Sequence, residues 1–292
     1  MRFDLLLVTV LLSLHTTLWA AGPAAVAAPG EMRNWCRDVT SVIPQIKLNA
    51  CASAGLKPWA TSVNGRHIML HEFTPAQPPV ARVLVVGGVH GDELTSVSIV
   101  FRWIERLKQP AGGAALYHWR VIPVLNPDGL LIKPPTRVNA RGVDLNRNFP
   151  TDDWADEAHR HWSTSTKRDP RRFPGAAPRS EPESAWLHSE IRTFKPDVII
   201  SVHAPYAVLD FDGPPNGMKP PARFGRLQLR PLGVFPGSLG KFGGLNEGIP
   251  VVTLELPHAL DMPNEAELAQ VWRDMQDWLK VNLVQRKGRP SP

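Results

Sequence analysis

The chain has 292 residues, of which 43% are hydrophobic, and it carries a formal net charge of +6. This composition is that of a folded protein and excludes a chain dominated by disorder, and the length suits one large domain or two small ones. The positive charge is weak evidence for attraction to an anionic cell wall or membrane surface. The sequence has no basic helix with interleaved aromatic residues, so nucleic-acid binding has little support.

The first 27 residues have the pattern of a secretory signal peptide. A basic start at Arg2 is followed by an apolar run over residues 5–14 and by small residues up to Ala27. A membrane anchor is the alternative, but it needs roughly 20 apolar residues, and polar residues at 15–17 interrupt this run. We therefore predict an exported protein, periplasmic or extracellular, with cleavage after Ala27 or Ala20.

Cys36 and Cys51 are the only cysteines, and both follow the proposed cleavage site. In an exported protein, an isolated pair this close in sequence predicts a disulfide, with two unpaired buried thiols as the alternative. The pair gives no support to catalytic thiol chemistry.

Four short apolar runs predict β-strands, at residues 82–86, 119–125, 197–202 and 251–256. Three of them, all but the run at 119–125, indicate strands of a largely parallel sheet, because such strands are buried on both faces and do not alternate with polar residues. Apolar residues at the helical period predict helices over residues 94–108 and 265–284, and a capping-box pattern with proline in the first turn predicts another over residues 180–194.

This alternation of strands and helices predicts an α/β fold. We expect a three-layer sandwich, in which a central mixed, mostly parallel, twisted sheet carries helices on both faces. No internal repeat or linker divides the chain, so we predict one catalytic domain over residues 28–286 with a disulfide-linked N-terminal segment. The basic residues near the end predict a flexible tail at 287–292.

Residues 150–179 do not fit a compact connection, because they are polar, contain prolines and lack convincing periodicity. Loops longer than about 15 residues are usually functional lids or disordered. Trp154, Trp162 and Phe173 indicate that this segment packs against something. Whether this segment borders an active site or has no functional role stays open.

Possible metal ligands follow two of the predicted strands. His90 and Glu93 come after the glycine-rich turn that ends the run at 82–86, and His203 follows the run at 197–202. Each signal is weak alone, but the carboxyl edge of an α/β sheet is where ligands bind. Two histidines and one carboxylate leave a fourth position for water, which is the ligand set of a catalytic zinc site. The sequence therefore predicts one bound zinc ion.

Glu255 lies one residue inside the end of the run at 251–256. A buried carboxylate needs a hydrogen-bond partner, a cation or a function, and a structural salt bridge is the alternative to catalysis. Beside a zinc-activated water, a carboxylate is the expected general base.

A loop over residues 139–149 contains arginines and several amide side chains. Guanidinium groups there offer planar donors suited to a carboxylate, although a solvated basic loop is the alternative.

Five motifs, taken together and in order, resemble those of the zinc carboxypeptidase family typified by carboxypeptidase A. They are HGDE at 90–93, NPDG at 126–129, DLNRNF at 144–149, the strand-end His203 and LELP at 254–257. The resemblance spans about residues 83–257. It implies a zinc peptidase with His90, Glu93 and His203 as zinc ligands and Glu255 as general base, then general acid.

The same resemblance implies a substrate-binding side of the site. Asn146 and Arg147 match the residues that hold the terminal carboxylate of the substrate. Arg137 looks like the arginine that stabilises the oxyanion, and Arg141 is the alternative for that role. The mobile tyrosine of digestive members has no counterpart, and Phe235 or Phe242 is expected in its place.

The short spacing between NPDG and DLNRNF, with the string HAPYAVLDFDGP after His203, looks most like the bacterial murein peptide amidase branch. This branch cleaves the γ-D-glutamyl to meso-diaminopimelate bond of cell-wall peptides, which implies a peptidoglycan-derived substrate. Asp210 and Asp212 are candidates to meet the extra ammonium group, although turn formation before Gly213 is the alternative. Other functions left open are a general carboxypeptidase for L-amino acids, a small-molecule deacylase and a non-catalytic wall-binding module.

Overall fold

A computed structural model describes residues 29–109 and 115–284 of the chain. The predicted signal peptide at 1–27 and the predicted tail at 287–292 lie outside the described residues, so both stay predictions.

The centre of the fold is a nine-stranded mixed sheet. In chain order its strands are β1 Lys57–Thr61, β2 His67–Phe73, β3 Ala81–Val86, β4 Tyr117–Ile122, β5 Val198–His203, β6 Val208–Asp212, β7 Arg223–Phe224, β8 Leu227–Leu229 and β9 Val251–Glu255. Their order across the sheet is β1-β2-β4-β3-β5-β9-β6-β8-β7. The four strands β4, β3, β5 and β9 are parallel, and the sheet continues antiparallel at β2 on one side and β6 on the other.

Helices cover both faces of this sheet. They are α1 Pro29–Val42, α2 Leu48–Ala52, α3 Leu94–Leu107, α4 Pro127–Leu131, α5 Trp154–Thr164, α6 Pro182–Phe194 and α7 Glu265–Leu279, with a π-helical turn at Lys280–Val284 after α7. Val83 and Val85 pack with α3 and α7 in one core cluster, whereas Leu84 and Val86 pack with α6 in a second. The predicted α/β fold with helices on both faces is therefore confirmed.

Strand bounds agree with the sequence predictions to within one residue at each end, except at β4. The predicted strand at 119–125 is observed as Tyr117–Ile122. Pro123 follows the last strand residue, and because proline has no N–H it cannot donate to a neighbouring strand. The apolar residues after it belong to the turn that leads into α4.

Residues 150–179 are not an irregular loop, because they contain α5 and a 3-10 turn at Pro170–Arg172. Only Trp154 and Ala158 of α5 are buried, so its apolar stripe was too short to predict a helix. The aromatic residues do pack, with the rings of Trp162 and Phe173 at 5.0 Å. Trp154 Nε1 also donates to the backbone oxygen of Arg147, which places the segment beside the DLNRNF motif.

The predicted disulfide between Cys36 and Cys51 is present and joins α1 to α2. Both sulfur-bearing residues are fully buried. Trp35, next to the bridge, packs against Phe101 of α3 and donates from Nε1 to the backbone oxygen of His67. In the part of the chain that the structure describes, no helix is both long and apolar enough to cross a membrane.

Replacing both cysteines with alanine is expected to lower the free energy of unfolding by about 3 kcal/mol, because the bridge closes a loop of about 15 residues in the unfolded chain. Urea unfolding of the purified protein measures this difference. A reductant should destabilise the wild-type protein and leave the double variant unchanged. A wild-type protein that is indifferent to reductant would contradict the prediction.

Candidate active site

The predicted chemical residues meet at the carboxyl ends of three adjacent parallel strands. His90 and Glu93 follow β3, His203 ends β5, and Glu255 ends β9 as the register partner of His203. The turn after β3 depends on a glycine, because a Cβ at Gly91 would lie 2.1 Å from the carbonyl carbon of Gly129. This close approach packs the HGDE motif against the NPDG motif.

His90, Glu93 and His203 form a compact buried group that could hold a metal ion, called the metal group below. One ligand atom from each residue lies within 4.8 Å of the others. Glu93 Oε1 lies 2.6 Å from His90 Nδ1, and Glu93 Oε2 lies 3.1 Å from His203 Nδ1. The two Nδ1 atoms are 3.2 Å apart. Two imidazole nitrogens and a carboxylate that converge in this way fit a cation.

The far nitrogen of each histidine ring has its own partner. His90 Nε2 lies 3.1 Å from Asp144 Oδ1, and His203 Nε2 lies 3.0 Å from Ser201 Oγ. A neutral ring that donates its Nε2–H to such a partner keeps its lone pair on Nδ1, the atom that faces Glu93. Partners of this kind fix the tautomer and orientation of metal-binding histidines.

The charge of Glu93 also fits a metal ligand. Burial alone would raise the pKa of this carboxyl group, but His90 and His203 outweigh burial and hold the pKa below its usual range. The group is therefore an ionised carboxylate beside two histidines, which is a donor set that zinc takes in catalytic sites.

Arg137 lies next to this group. Its Nε donates to Asp144 Oδ2 at 3.0 Å, and its Nη1 lies 3.4 Å from Glu93 Oε1. Burial would raise the pKa of Asp144, but Arg137 and His90 outweigh it and hold this pKa well below its usual value. One ionised carboxylate thus holds both a histidine of the metal group and the arginine beside it.

The structure does not bring Arg141 to the same place. Asn139 and Val143 close a tight turn, in which the Val143 carbonyl accepts from the Asn139 N–H, and Arg141 lies at its tip. The Arg141 side chain is 56% exposed and lies 3.7 Å from Glu181. The turn directs this side chain outward, so the structure does not bring Arg141 together with the other predicted site residues, and its contact with substrate stays a prediction.

A cavity of about 220 Å³ opens above the metal group. It brings together most of the predicted site residues with others that the sequence did not indicate. Its lining includes His90, Arg137, Asn146, Arg147, Arg172, His203, Tyr206, Asp210, Asp212, Phe235, Gly240, Thr253 and Glu255.

Arg147 lines this cavity and has one buried donor without a partner. Its Nη1 donates to the backbone oxygen of Asn146, but its buried Nε has no hydrogen-bond partner among the described residues. Burial lowers the pKa of Arg147 to about 10, and the guanidinium lies 4.5 Å from the ring centre of Phe235. An unpaired buried donor is costly, so a ligand that accepts from it is favoured.

Glu255 is a buried acid whose Oε2 has no hydrogen-bond partner in the described chain. Burial, with a smaller contribution from the charge of Glu93, raises the pKa of Glu255 to about 7. A carboxyl group with a pKa in this range can both take up and return a proton near neutral pH.

Asp210 and Asp212 lie on β6, on the far side of Glu255 from the metal group. Both line the cavity. Burial raises the pKa of Asp212 to about 7, and the charge of Asp210 adds to the effect. An ammonium group placed between these side chains would relieve the repulsion of two partly buried carboxylates.

Several cavity residues were missed or left undecided by the sequence. Asp144 was given no role, although it begins the DLNRNF motif, and Arg172 carried no signal at all. Phe235 lines the cavity, whereas Phe242 stacks on Phe149 in the core at 5.8 Å, so of these two phenylalanines Phe235 is the one at the cavity. Tyr206 also lines the cavity and is 55% exposed.

Comparison with known proteins agrees with this site. A family model described as zinc carboxypeptidase matches residues 41–212, more than half of the chain. Murein peptide amidase A of Escherichia coli K12 is 36% identical over 129 residues, which are 44% of this chain and 50% of that protein. Its counterpart in Vibrio campbellii is 37% identical over 141 residues, 47% and 54% of the two chains. The chain thus matches about half the length of these curated relatives.

Solved structures share the fold. Murein-tripeptide amidase MpaA from Escherichia coli O157 has a TM-score of 0.56 and 24% identity, covering 77% of this chain and 92% of its own. Carboxypeptidase A from Helicoverpa armigera has a TM-score of 0.62 and 17% identity, covering 90% and 75%. With the family match over more than half of its residues, the chain belongs to the zinc carboxypeptidase family of metallopeptidases.

Proposed function

We propose that this protein is a zinc-dependent amidase that hydrolyses the γ-D-glutamyl to meso-diaminopimelate bond of cell-wall peptides. The observation that carries the proposal is a single cavity with the metal group at its base, the unpaired Nε of Arg147 on its wall, and the pair Asp210 and Asp212 beyond Glu255. The similarity to murein peptide amidases A supports the same substrate class.

His90, Glu93 and His203 would hold the zinc ion, with Asp144 and Ser201 orienting the two imidazole rings. A bound zinc ion supplies a Lewis acid that polarises a carbonyl group and acidifies water. The protein's part is to keep both Nδ1 atoms and both Glu93 oxygens aimed at one point.

Glu255 would act as the proton carrier. Its unpaired Oε2 can accept the proton of the attacking water, and the same carboxyl group can return that proton to the leaving amine. Arg137, held in place by Asp144 and Glu93, would donate to the oxygen that becomes negatively charged on the scissile carbonyl.

The leaving residue would be bound by complementary charges. Arg147 and Asn146 would receive its carboxylate, because the guanidinium has a free buried donor and Asn146 lines the same wall. Asp212, together with Asp210, would receive an ammonium group. Diaminopimelate carries both kinds of group, whereas most L-amino acids lack the second ammonium.

Other functions have less support. A general carboxypeptidase for L-amino acids would share the metal group, Glu255 and Arg147, and the acidic pair on β6 and the similarity to murein peptide amidases A favour the cell-wall substrate over it. A small-molecule deacylase leaves the acidic pair unexplained, and a non-catalytic wall-binding module leaves Glu255 without a role. The predicted signal peptide, together with the disulfide, supports export to the periplasm or the exterior.

Digestion of purified murein tripeptide tests this function, with the products identified by mass spectrometry. We expect release of diaminopimelate by the zinc-loaded protein and none after treatment with a chelator. The Glu255→Gln variant should lose about 100-fold to 10,000-fold in kcat, because the proton carrier is gone.

The matched control is Glu247→Gln, which removes a surface carboxylate that pairs with Arg192 at 3.1 Å. This variant should keep wild-type activity. Cleavage of blocked L-dipeptides but not of the murein tripeptide would reject the cell-wall substrate, and full activity of Glu255→Gln would reject the catalytic role of Glu255.

Substituting Asp144 by asparagine should weaken zinc binding by about 10-fold to 100-fold, because the partner that orients His90 loses its charge. Competition with a zinc-binding dye measures the affinity. The exposed Asp156→Asn substitution on α5 is the control. Thermal unfolding of the metal-free variants shows whether the loss comes from the site or from the fold, and an unchanged zinc affinity would contradict the role of Asp144.

Substituting Asp212 by asparagine should reduce the preference for diaminopimelate over 2-aminopimelate, which lacks the distal ammonium group, by about 10-fold in kcat/KM. In the wild-type protein this preference should decline as the pH falls through about 7, where the Asp212 carboxylate becomes protonated. The exposed Asp277→Asn substitution is the control. A preference that is unchanged by Asp212→Asn would remove this residue from substrate recognition.

A further inference from the structure

Arg172 lines the cavity, but the proposed mechanism gives it no task. It ends the 3-10 turn Pro170–Arg172, within the segment that the sequence left without a function. The next residue ties this turn to the site, because the Phe173 carbonyl oxygen accepts from the backbone N–H of Asp144 at 2.8 Å. The backbone of Arg172 is therefore attached to the loop that carries Arg147.

The charges around Arg172 place it beside Arg147. Burial is the main cause that lowers the pKa of Arg147, and the charges of Arg137 and Arg172 add to the effect. Besides burial, the charges of Arg147 and Arg172 also lower the pKa of His161 on α5. The His161 ring lies 5.6 Å from the ring of Phe235, over which the Arg147 guanidinium is placed at 4.5 Å. One wall of the cavity thus carries both arginines, and it is the wall proposed above to receive the carboxylate of the leaving residue.

The two arginines lie at different depths on this wall. Arg147 interacts with the charge of Asp144, the carboxylate that holds His90 of the metal group. Arg147 is 6% exposed, whereas the side chain of Arg172 is 33% exposed. Arg147 is therefore the arginine nearer the metal group, and Arg172 lies farther out along the same wall.

Neither arginine of this wall has a carboxylate at hydrogen-bond distance among the described residues. Nη1 of Arg147 donates to a backbone oxygen, and its Nε has no partner. Nε of Arg172 lies 3.6 Å from Asp169 Oδ2, which is beyond hydrogen-bond length. Arg137, in contrast, donates to Asp144 at 3.0 Å. Two neighbouring cations repel each other, so anionic groups of a ligand are favoured beside them.

The acidic pair on β6 is close to this wall along the chain that lines the cavity. A backbone hydrogen bond from Leu232 reaches the carboxyl group of Asp210. Phe235, three residues later, lies under the guanidinium of Arg147. Three residues span at most about 10 Å, and both walls line the same cavity. A leaving residue with a side chain of a few methylene groups can therefore contact the arginines and the acidic pair together.

We propose that Arg172 binds the second carboxylate of the leaving residue, the one at the far end of its side chain. This inference rests on the proposed function and deepens it, because it names what selects the leaving residue. Diaminopimelate carries an ammonium group and a carboxylate on its far carbon, so Asp212 binds one charge and Arg172 the other. Arg147 keeps the carboxylate beside the scissile amide. Lysine has the far ammonium group without the carboxylate, so Arg172 distinguishes diaminopimelate from lysine.

The test compares three tripeptides that differ at the far carbon of the leaving residue. One is L-alanyl-γ-D-glutamyl-meso-diaminopimelate. The second carries the far carboxylate as a carboxamide, which keeps the size of the group and removes its charge, and the third ends in L-lysine. The zinc-loaded wild-type protein should prefer the free acid over both by about 10-fold to 100-fold in kcat/KM, the range of a hydrogen bond between charged groups.

Arg172→Gln should abolish this preference by raising KM for the free acid, with kcat and the hydrolysis of the other two peptides little changed. Arg172→Lys should keep part of the preference, because the charge remains and the planar donor pair is lost. The control is Arg160→Gln on α5, which lies in the same segment, pairs with Glu157 and does not line the cavity. This control should behave like the wild-type protein.

Two outcomes would overturn the proposal. An equal loss on all three peptides would mean that Arg172 supports the fold or shares the carboxylate beside the scissile amide. A preference for the free acid that survives Arg172→Gln would mean that another group binds the far carboxylate.

Binding to the Glu255→Gln variant separates this proposal from the proposed function. Calorimetry with the free acid and the carboxamide, with and without Arg172→Gln, measures recognition without turnover. A wild-type protein that cleaves neither peptide rejects the proposed function, and the binding data still decide the role of Arg172. A loss of affinity confined to the free acid supports that role, and equal affinity for the two peptides when Arg172 is present overturns it.

Discussion

The Asp144 carboxylate is the interaction on which the rest of the site depends. It is fully buried, and it holds His90 through one oxygen and Arg137 through the other. Its Oδ1 also accepts from the backbone N–H of Asn146, so the same group fixes the loop that carries Asn146 and Arg147. A buried carboxylate is costly without partners, and two cationic or polar partners make this one stable. Any movement of Asp144 would displace three parts of the proposed machinery together.

The order of the strands arranges the site residues along one edge of the sheet. From β3 to β6, the strand ends at the cavity carry the proposed metal ligands, then Glu255 and then the acidic pair Asp210 and Asp212. A leaving residue that carries an ammonium group is complementary to the β6 end of this order. Because these side chains stand on or just after adjacent strands, their order along the cavity is set by the fold.

The segment over residues 150–179 contributes to the candidate site. Its aromatic residues pack among themselves, and its backbone bonds to Asp144 through the carbonyl of Phe173. Trp154 covers the backbone of Arg147 from the same side. The packing therefore stabilises the segment and, at the same time, keeps Arg172 at the cavity wall.

The sequence by itself determined the central strands and which residues follow them, because buried parallel strands are continuous apolar runs whose ends can be read directly. His90, Glu93, His203 and Glu255 were predicted for this reason, since each lies at or just beyond such an end. Only the tertiary structure separated Arg137 from Arg141, because it places Arg137 beside Asp144 and Glu93 whereas a tight turn directs Arg141 outward. It also decided the place of Asp144, since its contacts with His90 and Phe173 join segments far apart in the chain, and the place of Arg172 at the cavity, which no sequence motif marked.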